Sequence, residues 1–65
     1  MNPKVAKLLI GKNKVYPIKT IHFSTKQVTL QESDKVYNTV SISDVEFDFS
    51  HMTKKEISVF KAKFQ

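Results

Sequence analysis

Between Phe49 and Thr53 the spacing of apolar residues switches from every second position to every third or fourth, which limits the fold more than any other feature of the chain. Before the switch, Val45, Phe47 and Phe49 share one parity while Asp44, Glu46 and Asp48 share the other, the pattern of a strand with one buried face. After it, Ile57, Phe60 and Phe64 fall within about 60° of one another on a helical wheel. The start of that helix is marked. Thr53 followed three residues later by Glu56 reads as a capping box, with Met52 and Ile57 placed for a hydrophobic staple. A helix over about residues 54–64 must therefore dock a narrow apolar stripe onto whatever the preceding residues build.

Those residues read as strands throughout. Val5 to Ile10 is a short apolar strand, and Gly11 to Lys14 is a polar turn whose Gly and Asn both tolerate positive φ. Residues 15–23 continue as a strand that changes phase, with Tyr16 and Ile18 on one parity and Ile21 and Phe23 on the other. A bulge near Lys19-Thr20 restores all four to one face. Pro17 has no N–H for a ladder, so it belongs at an edge or must carry its nitrogen on an unpaired side. After a turn at Ser24 to Lys26, residues 27–31 alternate with Val28 and Leu30 inward. After a second turn at Glu32 to Lys35, residues 36–43 alternate with Val36, Val40 and Ile42 inward and Asn38 as a polar exception. A last strand covers residues 45–49.

The expected fold is mainly β, a single domain over 1–65: a small five-stranded antiparallel barrel or curled sheet capped by one C-terminal α-helix. In outline this order resembles SH3-like barrels and the small archaeal chromatin proteins. The resemblance is one of architecture, because the glycine-rich turns and Arg-bearing sheet face of the chromatin proteins have no counterpart here, and no site residue carries over.

A chain of 65 residues buries only about 60% of the surface its unfolded form exposes, and a deep substrate pocket would consume that core. With no Cys, neither a disulfide framework nor a thiolate metal site is open to it. Hydroxyl residues sit in turns or on outward strand positions, with no strand-to-helix elbow around any Ser, so catalysis is not expected. No cofactor or metal is expected either, and His22 and His51 read as surface histidines. Val5 to Ile10 is too short and too interrupted by Lys7 for a signal core, and no window is long enough to span a membrane. The expectation is a soluble cytoplasmic protein.

Charge supplies the remaining clues. The net charge is +5 and all eleven basic residues are Lys, a solvated point charge rather than the bidentate fork that reads guanine, so sequence-specific base readout is disfavoured. Lys4, Lys7, Lys12, Lys14, Lys19 and Lys26 precede the first acid, and with Tyr16 as a stacking candidate they could serve a nucleic acid or another anionic partner. Asp44, Glu46 and Asp48 form a row about 7 Å apart per step, too wide to share one cation, but suited to a solvated face or to a basic protein partner. Two functions are compatible with these features. The favoured one is a non-catalytic module for protein–protein interaction, through a strand edge around Pro17 or a charged face; a homo-oligomer formed through an edge strand overlaps with it. A compact stand-alone module of this kind would also suit a phage or prophage protein that modulates a host component. The other is non-specific nucleic-acid binding through the Lys-rich N-terminal half.

Overall fold

The computed structural model describes residues 2–64. Five antiparallel strands form a single curled sheet that does not close: β1 (Val5–Leu8), β2 (Val15–His22), β3 (Gln27–Ser33), β4 (Val36–Ser41) and β5 (Val45–Phe47), followed by helix α1 (Lys54–Ala62). The spatial order is β4-β3-β2-β1-β5, so the chain meanders through four strands and then returns to pair β5 with β1. A 3-10 turn, Ile42–Asp44, carries it across from β4 to β5. Both β4 and β5 are left with a free edge.

The phase change in β2 is resolved by the expected bulge. The β2–β3 register shifts between Ile18 and Thr20, with Ile18 opposite Leu30 on one side of the break and Ile21 opposite Val28 on the other. Lys19 is the extra residue. Its insertion brings Tyr16, Ile18 and Ile21 to one face, packed against the buried cluster of Ala6, Val28, Leu30 and Val45. The same irregularity lets β2 pair with β1 at its start and with β3 at its end, which curls the sheet around this cluster.

Pro17 is not at an edge, because β2 lies between β3 and β1. Ile18 N–H donates to Lys4 O at 2.9 Å and Leu8 N–H to Lys14 O at 2.8 Å, so the hydrogen-bonded pairs fall on either side of Pro17, which faces Val5 in a non-bonded pair. Its nitrogen points towards β3, where the ladder begins only at Ile18. A central strand thus accommodates proline at the one position where neither neighbour requires its N–H.

Several strand ends differ from expectation. β1 stops at Leu8, leaving Leu9 and Ile10 44% and 59% exposed, because the hairpin closes at Leu8–Lys14 and the intervening loop turns through Gly11 (φ 82) and Asn13 (φ 55). β3 runs on to Ser33 through a second irregularity near Glu32. β4 ends at Ser41, whose hydroxyl accepts from Ser43 N–H and starts the 3-10 turn, so Ile42, Ser43 and Asp44 are not strand residues. β5 is only Val45–Phe47, since Asp48 Oδ1 accepts from Ser50 N–H at 3.0 Å and bends the chain towards the helix. Asn38 is half-buried opposite Leu30, and its Nδ2 donates to Glu32 Oε1 at 3.3 Å.

Helix α1 begins as its sequence dictates. Thr53 Oγ1 accepts from Glu56 N–H at 3.2 Å, and Glu56 Oε1 accepts from Thr53 N–H at 2.9 Å. A cap of this kind is worth about 1 kcal/mol. The bonds from Thr53 hold the Glu56 carboxyl below its ordinary 4.5, so their contribution is complete above that value and is lost as pH falls through the lowered one. Phe60 and Phe64 dock against Phe23 and Phe47, with Phe49 also against Phe60, at centroid separations of 4.9–6.3 Å. The helix is therefore attached through phenylalanine rings, a second core stacked beside the aliphatic one. The helix ends at Ala62 rather than 64, and Lys61 in its last turn and Lys63 at its C-cap lie 5.5 Å from the ring centroids of Phe49 and Phe23.

Candidate binding edge and groove

The free edge of β5 is defined by its pairing with β1. Asp48 N–H donates to Val5 O and Leu9 N–H to Asp44 O, which makes 48–5, 46–7 and 44–9 the hydrogen-bonded pairs. Val45 and Phe47 therefore turn their backbone groups away from β1, and Phe49 lies past the end of β5, where its carbonyl accepts from Met52 N–H. Val45 N–H is taken by Ile42 O. That leaves the Val45 carbonyl and both backbone groups of Phe47 facing outwards, and among the described residues the ladder gives them no partner.

The two sides of this edge differ. On the core side lies an open groove of ≈ 600 Å³, lined by Phe47, Phe49, Phe60 and Phe64 together with Lys26, Glu46 and Lys61. Lys26 is held at φ 58, a left-handed conformation that costs a non-glycine residue about 1–2 kcal/mol. On the opposite side a concavity of ≈ 360 Å³ is bordered by Lys7, Glu46 and Asp48, with Phe47 and Phe49 also along it. Glu46 stands beside Lys7 across the β1–β5 ladder, but no strand lies on its other flank. The Ser50 backbone N–H, then the Ser50 hydroxyl, hold the Asp48 carboxyl below its ordinary 3.8, so it stays ionised.

The sequence-derived candidates scatter around the sheet. Lys12 and Lys14 lie in the β1–β2 loop and Lys26 in the β2–β3 turn, at opposite ends of a β2 that spans roughly 25 Å. Lys4 precedes β1, lining a small cleft with Asp48, His51 and Met52, while Lys7 is on the outer sheet face. Lys19 projects from the bulge, 5.9 Å from the centroid of the Tyr37 ring. Tyr16 is opposite Ala6 and packs on the core, so its ring is structural rather than a platform for bases. Of the acidic row, Asp44 has been drawn into the 3-10 turn, and only Glu46 and Asp48 flank the β5 edge.

Two features were not anticipated. The phenylalanines assigned to the core also floor an open groove, a consequence of the gap between β4 and β5 that alternation within single strands does not reveal. His22 Nε2 lies 2.9 Å from Thr29 Oγ1, which is 2.7 Å from Thr39 Oγ1, forming a polar row across three strands. No carboxylate is among these hydrogen-bond partners, and the row reads as cross-strand pairing on a wet sheet face.

No protein-family model, curated protein or solved structure matches the chain. No helix among the described residues is long and apolar enough to cross a membrane.

Proposed function

We propose that this protein is a non-catalytic binding module that recognises a partner protein by accepting an extended segment of it as a sixth strand at the edge of β5. The observation that carries this reading is the coincidence of unspent backbone groups at Val45 and Phe47 with an open phenylalanine-lined groove along the same edge. Backbone groups supply affinity in strand addition, and pockets beside the edge supply specificity. The edge invoked at Pro17 is replaced by that of β5, since β2 is central. Binding of a nucleic acid by the Lys-rich half is weaker as a reading, because Lys12 and Lys14 are separated from Lys26 by the length of β2 and Tyr16 is committed to the core.

The test is a single-atom change. In a 65-residue chain made by chemical synthesis, replacing the Phe47 amide by an ester removes one outward N–H and leaves every side chain in place. It breaks no bond to β1, so the fold should persist, while binding of a strand at β5 should weaken by about 2- to 10-fold, the worth of one hydrogen bond. Unchanged affinity for a bound partner peptide would place the interface elsewhere.

A further inference from the structure

Resting on that reading, we infer that the segment taken up at β5 alternates apolar and basic residues, apolar–basic–apolar–basic–apolar. The pattern follows from what lies on each side of the edge. A residue placed directly opposite Phe47 shares its face of the sheet, whether the added strand runs parallel or antiparallel, and so points into the groove over Phe47, Phe49, Phe60 and Phe64. Its neighbours stand opposite Glu46 and Asp48 and point to the other face. Beyond them, one residue stands opposite Val45 on the groove side again, and the other reaches the end of β5, where Phe49 lines the same groove.

Charge then fixes the register. Opposite charges across a strand pair are favourable and like charges directly opposite are not. By strand parity Glu46 and Asp48 alternate with Phe47 and favour cations on the outer side, while Lys26 and Lys61, which line the groove, disfavour them on the inner side. A strand shifted by one residue would place its basic side chains against those lysines and its apolar ones against carboxylates, so a slip is opposed on both faces. Pairing of β5 with β5 of a second copy would set two acidic rows side by side, which argues against a symmetric dimer through this edge. The preference for a basic segment also runs against the net charge of +5, so long-range attraction cannot mimic it.

The experiment titrates two blocked peptides into the ¹⁵N-labelled full chain at about 50 mM salt, where charge pairs are only moderately screened. One carries the apolar–Lys–apolar–Lys–apolar pattern and the other carries Glu in place of Lys. The Lys peptide should bind about tenfold more tightly, as two cross-strand pairs change from repulsive to attractive, and should shift the Phe47 and Phe49 amide signals. The exposed Glu46→Lys variant should lose that preference or invert it. Equal affinities, or a preference of the unaltered chain for the Glu peptide, with shifts still at β5, would overturn the charge pattern and leave strand addition standing. Failure of both peptides to shift the β5 amides would overturn strand addition itself. Concentration-dependent self-association that shifts those amides without peptide would give the edge to a second copy and overturn both.

Discussion

Replacing Phe60 by Ala is expected to remove about 3–5 kcal/mol of stability and to leave the domain largely unfolded at ambient temperature. The ring is 1% exposed and meets Phe23, Phe47, Phe49 and Phe64, so truncation opens a cavity where the helix is joined to the sheet. Domains of 65 residues have about 3–10 kcal/mol in total, with no disulfide in this chain to restrain the unfolded state. Val59, its neighbour, is 52% exposed, and Val59→Ala should shift stability by no more than about 0.5 kcal/mol. Urea denaturation followed by circular dichroism compares the two. Similar midpoints would mean that α1 is not held through its phenylalanines.

The second large effect concerns the bulge. Deleting Lys19 removes one residue from β2, so Tyr16 and Ile18 can no longer share a face with Ile21. Either part of β2 turns its apolar side chains to solvent or the β2–β3 register slips, at about 1.5–3 kcal/mol for each large apolar side chain exposed. Loss of cooperative folding is expected. Lys19→Ala keeps the residue count and gives up only an exposed contact near Tyr37, so it should be close to neutral. If the deletion were as mild as the substitution, as read by the sharpness and midpoint of thermal melting, the bulge would not set the phase of β2.

The contrast between these two residues shows what a single sequence discloses. Period and parity are local, and they were enough to place five strands, the capped helix and the bulge, because each depends on neighbours within a few positions. The Thr53–Glu56 reciprocal bonds were legible for the same reason. What failed was relational. Of the two placements open to Pro17, an unpaired side for its nitrogen holds within a central strand and an edge does not, because a missing N–H says that one side is unpaired, not which strands lie beyond it. Asp44 joined a strand row because parity runs on unbroken through the 3-10 turn that Ser41 initiates.

The candidate site was legible only in fragments. Glu46 and Asp48 were identified as an outward acidic row, and Phe47, Phe49, Phe60 and Phe64 as apolar stripes on a strand and a helix. Their meeting along one open edge depends on the return of β5 to β1 rather than to β4. The lysines were legible as a cluster in sequence and not in space: Lys12, Lys14 and Lys26 are drawn apart by the very strand that makes the sheet.

Hydrogen exchange along β5 tests strand addition most directly, because the ladder assigns its amides alternately. In the free protein Glu46 and Asp48 N–H face β1 and should exchange slowly, while Phe47 N–H faces the open edge and should exchange quickly. On saturation with a bound partner segment, the Phe47 amide should become protected and those of β4 should not change. Protection of Phe47 in the dilute free chain, or its continued fast exchange at saturation, would contradict the assignment of β5 as the binding edge.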